Sequence, residues 1–330
     1  MTPLTQPDRI RLQIEAAAPR GRDDLFLACS NADARFEGFA RLCQYRAGHD
    51  PLWRSTDLPA TVVDGLFFSH PPGDSGAAAA FVFLTEEGDV MQLPPGGEAM
   101  TERIEGAGLW SDDSEGWGSM IALAQIGGRL HACGGGGQIY RRTKPGAWEH
   151  MDTGLLREKG EKKSISFKTI AGANEQEVYA GGWFQNVNDG VLYCGDGRRP
   201  WKAVASGMPA ISRIHVERED SVWACGRGGT LLHGNHVDGF QDVSALDDTR
   251  AYVDVTSYDG QIFLATETGL YLHANGATHR IRTRLDPEYE DGHLLRVVDG
   301  VLWSIGYADI ARFDGTAWER IPFPGNPPIR

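Results

Sequence analysis

Residues 130–151 read LHACGGGGQIYRRTKPGAWEHM, and this stretch contains the pattern that decides the fold. An apolar segment, Leu130–Gly134, is followed by a glycine turn and a second apolar segment, Gln138–Tyr140. A Pro-Gly turn then leads to Trp148, with apolar Met151 three positions further on. Short apolar segments separated by Gly- and Pro-containing turns are typical of strands joined by hairpins. The stretch therefore predicts neighbouring antiparallel strands.

The first apolar segment of this unit recurs along the whole chain. Its seven copies are LFLAC (25–29), FVFLT (81–85), LHACG (130–134), VYAGG (178–182), VWACG (222–226), IFLAT (262–266) and LWSIG (302–306). The closing position of the unit recurs as Trp53, Thr101, Trp148, Trp201, Phe240, Thr278 and Trp318, with spacings of 39, 38 and 40 residues after Trp201. A further apolar segment precedes each unit, so every repeat has room for four short strands.

Four strands per repeat without an amphipathic helix predict the blade of a β-propeller. We therefore expect an all-β, seven-bladed β-propeller with four antiparallel strands per blade, forming a single domain over residues 1–330. The predicted blades are residues 10–58, 59–106, 107–154, 155–207, 208–246, 247–285 and 286–324. Ring closure has two alternatives: Ile10–Ile14 completes the last blade, or the first and last blades close by packing alone. The register of the first strands is ambiguous, so no axial lining is predicted.

Composition narrows the class of protein further. The chain has 42 Gly in 330 residues and a formal net charge of −13, which argues against a helical fold and against a nucleic-acid partner. Its longest near-apolar run, residues 76–84, is too short to cross a bilayer, and Met1–Gln13 lacks the apolar region of a secretory signal. The five cysteines include no CxxC pair, so we expect buried thiols and a cytoplasmic protein.

Two segments resemble a known group of repeats. Gly134–Arg141 followed by Trp148, and Phe313–Trp318 (FDGTAW), resemble bacterial propeller repeats of the Asp-box and photosystem-assembly-factor type. In those repeats a Gly-rich hairpin precedes an apolar strand, an Asp-Gly turn and a Trp. The sequence departs from the Asp box at Arg312, where that motif usually has Ser or Thr. The resemblance implies the propeller fold and does not by itself imply a function.

No cofactor, metal or catalytic pattern stands out in the sequence. The run Gly134–Gly137 precedes a strand rather than a helix, so it predicts a hairpin and not a phosphate loop. The ten histidines form no HxH or HxxxH pair, and Asp112–Glu115 lacks the alternating ligands of a calcium loop. We therefore expect a protein that is not an enzyme. The alternative is a glycan-active propeller, sialidase-like or lyase-like, with its site at the mouth of the axial channel.

Acidic residues cluster in the loops of one predicted face. In a four-stranded blade, the loops between strands two and three lie on the same face as the connections to the next blade. On this assignment one face holds fourteen of the 45 acidic residues: Asp33, Glu37, Glu86, Glu87, Asp89, Asp112, Asp113, Glu115, Asp247, Asp248, Asp286, Glu288, Glu290 and Asp291. The loop Arg157–Lys163 on the same face is basic. Solvated polar loops are the alternative explanation of the cluster.

Aromatic residues in the same loops suggest that this face binds a protein. We expect the aromatic residues to anchor a partner and the carboxylates to steer it, because rings dominate interface energetics and charge accelerates encounter. The predicted partner-binding residues are Trp110, Asp112, Asp113, Trp117, Trp183, Phe184, Glu288, Tyr289 and Glu290. The expected partner is a basic protein, such as a bacterial toxin neutralised by an immunity protein. An assembly scaffold would carry the same features.

Overall fold

The computed structural model describes residues 1–4, 10–34, 38–69, 79–158, 164–185, 187 and 189–325, and within them every regular element is a strand. Strands β1 to β15 are Thr2–Pro3, Leu12–Pro19, Asp24–Asn31, Ala40–Arg46, Trp53–Leu58, Val62–Phe68, Ala80–Thr85, Asp89–Leu93, Met100–Arg103, Met120–Ile126, Arg129–Gly134, Ile139–Lys144, Ala147–His150, Ile165–Asn174 and Glu177–Phe184. Strands β16 to β29 are Asp189–Gly195, Lys202–Pro209, Ile211–Arg218, Ser221–Gly226, Leu231–Asn235, Gly239–Asp242, Asp254–Tyr258, Gln261–Thr266, Gly269–Ala274, Ala277–Arg280, Leu294–Val298, Val301–Ile305, Ile310–Phe313 and Trp318–Arg320. Among these residues no helix is long and apolar enough to cross a membrane.

The strands form seven sheets of consecutive antiparallel strands, which confirms the predicted seven-bladed β-propeller. Blade 1 consists of β2–β5, and each later blade takes the next four strands, ending with β26–β29 in blade 7. Blade 1 has a fifth strand, because β1 pairs with the outer strand β5. The first strand of each blade lies next to the first strand of the following blade, and β26 lies next to β2. These seven strands therefore surround the propeller axis.

The ring closes by packing between blades 1 and 7. Strand β2, which contains most of the segment Ile10–Ile14, is the inner strand of blade 1, so the alternative in which this segment completes blade 7 is wrong. The indole Nε1 of Trp53 donates to the carbonyl of Pro322 at 2.8 Å, and that of Trp303 donates to the carbonyl of Gly21 at 3.2 Å. Both indoles are buried, so each joins the two ends of the chain while filling the gap between blades.

A separate apolar cluster lies at each of the seven blade interfaces. The indoles of Trp53, Trp201, Trp223 and Trp303 are buried in these clusters, while Trp148 and Trp318 are partly buried and pack against them. All five cysteines are buried free thiols, which confirms the prediction that they are core residues. The blades thus adhere through stacked apolar faces, and the loops between them are left to vary.

Each first strand contains one extra residue that faces the axis. The antiparallel register skips one residue in five first strands. Directly before β22 and β26, the N–H groups of Val253 and His293 donate to the carbonyls of Ala265 and Ile305, which are already paired with the next residue of each strand. Such a bulge leaves one residue without a partner in the ladder. The seven bulge residues are Glu15, Val63, Ile121, Lys168, Ser212, Val253 and His293, and all of them line one axial cavity.

The residue after the bulge links alternate blades to their neighbours. The carboxylate of Asp64 accepts the N–H of Leu123 in the next blade at 2.9 Å, and Asp254 accepts the N–H of Leu295 at the same distance. In blade 4 the hydroxyl of Thr169 accepts the equivalent N–H of Ile214 at 3.1 Å. Buried acceptors that satisfy backbone N–H groups hold the first strands in register around the axis.

Candidate protein-binding face and axial cavity

The loop face is defined here by two sets of connections: those between strands two and three of each blade, and those between consecutive blades. All nine predicted partner-binding residues lie on it. Trp110, Asp112, Asp113 and Trp117 share the connection between β9 and β10. Trp183 and Phe184 end β15 in blade 4, while Glu288–Glu290 lie between β25 and β26. The structure therefore brings four of them together in one loop and distributes the others around the ring.

The loop 104–119 is held by one carboxylate. Glu87 accepts the backbone N–H groups of Leu109, Trp110 and Ser111 and also the Ser111 hydroxyl, at 2.8–3.2 Å from Oε2. Burial would raise the pKa of Glu87, but these hydrogen bonds outweigh it and place the pKa below its ordinary value. Trp110 projects from this fixed backbone with 84% of its surface exposed. A large ring on a preorganised loop is suited to anchoring a partner.

The two aspartates of this loop differ in their partners. Asp112 is exposed and forms no ion pair within the described residues. Asp113 lies 2.7 Å from the guanidinium of Arg103, which holds the pKa of that carboxyl below its usual range. The half-buried indole of Trp117 donates to Glu115 at 3.2 Å, so its ring is turned along the loop. Of the four predicted residues in this loop, Trp110 and Asp112 are thus the two that are exposed and whose side chains have no partner within the described residues.

Trp183 and Phe184 point to different surroundings. The Lys168 ammonium lies 5.6 Å from the centroid of the Trp183 ring, and both residues line the axial cavity. Phe184 packs against the apolar cluster between blades 3 and 4. Trp183 is therefore part of the cavity wall, whereas Phe184 mainly supports the core.

Residues 288–290 serve the connection between blades 6 and 7. Glu288 accepts the N–H and the hydroxyl of Thr283, both at 2.6 Å, and Glu290 lies 2.6 Å from the guanidinium of Arg280. Tyr289 is only 2% exposed, and its hydroxyl accepts a hydrogen bond from Ser304 at 3.0 Å. Tyr289 therefore lies in the core between blades rather than at the surface, because the loop turns its ring inward. It is not available as the surface anchor that the sequence predicts.

Several other acidic residues of the face also have internal partners. Asp248 pairs with Arg250 at 2.8 Å, and Asp291 accepts three consecutive backbone N–H groups, those of residues 307–309. Asp33 pairs with Arg11 at 3.1 Å. Glu37 and residues 159–163 of the basic loop lie outside the described residues. Much of the predicted negative charge is therefore compensated within the protein.

Three exposed apolar residues of the loop face were not predicted from the sequence. Leu109, Val187 and Leu246 are all large and exposed, and Leu246 is 94% exposed. They lie beside Trp110, after β15 and after β21, so they follow the same face from blade 3 to blade 6. An apolar residue between polar loop residues, as in Ser244–Asp248, is the signal that could have found them.

The axial cavity lies at the loop-face end of the propeller axis and has a volume of about 600 Å³. Its inner wall carries the bulge residues, and its mouth carries Trp183, Arg227, Arg250, Glu267 and Tyr307 from the loop face. This volume is within the range of small-molecule sites, on the order of 300–1,000 Å³.

Two carboxylates at or near this cavity serve the fold. Asp64 accepts the N–H groups of Gly65 and Leu123, and Asp254 lies within 3.2 Å of the guanidinium groups of Arg213 and Arg296. These carboxylates hold strands and arginines in place, so neither is free to act as a general acid or base. Among the described residues no group of His, Cys, Asp and Glu could hold a metal ion.

Fold and face together define the class of seven-bladed β-propellers with a loop-built face around a central cavity. Three solved structures share this fold: YCF48 from Cyanidioschyzon merolae (TM-score 0.60, 14% identity, 92% of this chain and 95% of that one), YCF48 bound to D1 peptide (0.59, 15%, 92% and 91%) and the WD40 β-propeller domain of Doa1 (0.57, 10%, 93% and 93%). No family model matches the sequence.

A curated relative defines the family. The chain is 32% identical over 270 residues to the immune protein Tsi7 of Pseudomonas aeruginosa, and the match covers 80% of this chain and 81% of that protein. The chain belongs to the family of the immune protein Tsi7.

Proposed function

We propose that this protein is a non-catalytic immunity protein that neutralises a toxin protein by binding it through the loop face. The observation that carries the proposal is the 32% identity to the immune protein Tsi7 over four-fifths of the chain. The fold supports it as well, because a propeller of the same shape, YCF48, is known with a bound D1 peptide. A rigid ring of blades also loses little conformational entropy when it binds a partner.

The contact surface would be centred on the exposed apolar residues of the loop face. Leu109, Trp110, Val187 and Leu246 are exposed there, and the backbone of the loop bearing Trp110 is fixed by Glu87. Hot spots of protein interfaces are commonly large rings on ordered backbone, surrounded by weaker contacts. These residues lie on the loop face between blades 3 and 6, and the axial cavity opens on the same face.

We further propose that the partner is basic. The chain carries a net charge of −13. Asp112 is unpaired, and Glu87 and Glu288 stay ionised because hydrogen bonds lower the pKa of each below its ordinary value. A negative field accelerates encounter with a basic protein and makes the association rate fall as salt is added.

The experiment uses the product of the reading frame next to the gene as the candidate toxin. Co-expression should give a one-to-one complex and restore growth of cells that carry the toxin. The double variant Trp110→Ala/Leu246→Ala should weaken the complex by about 30-fold or more, since loss of one hot-spot ring costs about 2 kcal/mol. The matched control is Val237→Ala, because Val237 is 77% exposed on the opposite face.

The outcomes distinguish the candidate functions. If binding were unchanged in the double variant and weakened by Val237→Ala, the interface would lie on the face opposite the loop face. Binding without protection of cells would favour the assembly scaffold. Hydrolysis of a glycan panel by the purified protein would contradict the non-catalytic part of the proposal and favour the glycan-active alternative.

A further inference from the structure

The axial cavity holds positive charge that the fold does not use. Three cationic side chains meet where blades 4 and 5 face the axis: Lys168, Arg213 and Arg227. Burial lowers the pKa of Lys168, and the positive charges of Arg227 and Arg213 lower it further. Arg213 is compensated by Asp254 at 3.2 Å. Within the described residues Lys168 and Arg227 form no ion pair with a carboxylate.

The groups around these cations are those of an oxyanion site. Lys168 and Ser212 are the bulge residues of adjacent first strands, so an ammonium and a hydroxyl project from neighbouring positions into the cavity. Trp183 forms the wall beside Lys168. The buried Nδ1 of His293, in the same cavity wall, makes no hydrogen bond within the described residues. A buried polar atom left unpaired is costly unless a ligand or water satisfies it.

The opposing charges in the cavity are few. Asp64 is satisfied by two backbone N–H groups, and Glu15 accepts the Ser30 hydroxyl at 2.6 Å. Glu267 lies at the cavity mouth in blade 6. An anion bound between blades 4 and 5 would therefore meet two uncompensated cations before it met a carboxylate without internal partners.

We propose that the loop-face end of the axial cavity, between blades 4 and 5, binds an oxyanion group, a carboxylate or a phosphate, through Lys168, Ser212 and Arg227. The ammonium would act as a point charge, and the guanidinium as a planar fork that donates hydrogen bonds to two oxygens. The group belongs either to a small free anion or to an acidic segment of a protein that covers the cavity. This site requires no toxin and goes beyond the proposed function.

The test measures binding of two probes to the full chain by calorimetry at constant ionic strength. Inorganic phosphate represents a small free anion, and a tri-glutamate peptide represents an acidic protein segment. Wild-type protein should bind at least one of them, and Lys168→Met or Arg227→Gln should weaken that binding about tenfold or more, because each removes charged hydrogen bonds. Lys144→Met is the matched control, since Lys144 is exposed at the end of β12 on the opposite face.

The two arms identify the source of the anion. Tighter binding of phosphate supports a small free ligand, and tighter binding of tri-glutamate supports an acidic protein segment. Failure of the wild type to bind either probe more tightly than the folded double variant Lys168→Met/Arg227→Gln would overturn the inference. This result is independent of toxin binding, so a protein that binds phosphate and no toxin would refute only the proposed function.

Discussion

Charged residues are paired in the rim of the loop face, meaning its loops outside the axial cavity, and are partly unpaired in the axial cavity at its centre. On the rim, Asp113 and Glu290 are each paired with an arginine, and Glu87 is saturated by N–H and hydroxyl donors. In the cavity, Lys168 and Arg227 have no such partner within the described residues. Charge that is paired within the protein organises loops, whereas unpaired charge is available to a ligand. A count of acidic residues therefore indicates where the carboxylates of the rim lie, and it does not reveal the unpaired positive charge of the cavity.

The largest effect should follow from removing the carboxylate that ties the cavity wall together. Asp254 is buried and binds the N–H groups of Val255 and Leu295 as well as Arg213 and Arg296. Asp254→Ala removes the carboxylate that pairs with Arg213 and, among the described carboxylates, leaves Arg296 only Asp64, 3.8 Å away. Because one partner of a largely buried ion pair is lost, we expect a loss of about 3–5 kcal/mol in the free energy of unfolding. Urea denaturation monitored by tryptophan fluorescence provides the measurement.

The control for Asp254 is the neutral residue at the same place in blade 4. Thr169→Val removes one hydrogen bond to Ile214 and no charge, so it should cost only about 1 kcal/mol. Equal losses for both variants would show that the hydrogen bond between blades, and not charge compensation, determines the stability of this ring.

The repeat predicts the blades of the propeller better than it predicts the residues that line the axis. The seven apolar segments and the closing tryptophans define the blades, because burial between blades imposes a periodic pattern. The axial lining could not be predicted, because a bulge inserts one residue in each first strand and changes which side chains face inward. Lys168 and His293 are both such residues. No local signal in the sequence distinguishes them from their neighbours.

At the rim, the path of each loop decides whether a predicted side chain is exposed and whether it has a partner within the protein. Trp110 is exposed as expected, while Tyr289 packs between blades against Ser304. The pairing of Asp113 with Arg103 joins residues ten positions apart, and it depends on the path of the loop. Composition and topology place a residue on a face, and only the path of the backbone decides its partners.

The next largest effect concerns the carboxylate that holds the rim. Glu87→Gln loses the charge that accepts the N–H groups of Trp110 and Ser111, so we expect a loss of about 1–2 kcal/mol at neutral pH. The pKa of Glu87 is lowered in the folded protein, so its contribution is present above the unfolded pKa and is lost as the pH falls through the folded pKa. Urea denaturation at pH 7 and at acidic pH measures both effects.

The neighbouring carboxylate provides the control for this loop. Glu86→Gln changes the same charge one residue earlier and should shift stability by less than about 0.5 kcal/mol. Toxin binding should weaken in Glu87→Gln, because Trp110 loses its fixed backbone. A variant of Glu87 that unfolds like wild type and binds toxin like wild type would show that the loop does not need this anchor.

A smaller effect should come from Tyr289. Tyr289→Phe keeps the ring in the core and removes the acceptor of the Ser304 hydroxyl, so it should cost about 1 kcal/mol of stability. Binding of the toxin should not change, because Tyr289 is buried. Calorimetric titration compares the affinity of wild type and variant for the toxin, and urea denaturation compares their stability. A loss of affinity with unchanged stability would show that Tyr289 is part of the contact surface.

The smallest effects distinguish rim from cavity by the sign of two histidine pKa shifts. At the rim, the hydrogen bond to Asp152, 2.9 Å away, raises the pKa of His150 despite partial burial, and the charge of Glu115 adds to it. In the cavity, burial lowers the pKa of His293, and nearby Arg213 lowers it further. The stability from His150 is therefore present below its unfolded pKa and lost as the pH rises through its folded pKa. His293 acts oppositely, because protonation below its unfolded pKa favours the unfolded chain.

Nuclear magnetic resonance titration of the two rings should place the midpoint of His150 above, and that of His293 below, the value of a free histidine. The variants His150→Gln and His293→Gln assign the signals. Midpoints on the same side would mean that rim and cavity do not differ in their electrostatic surroundings.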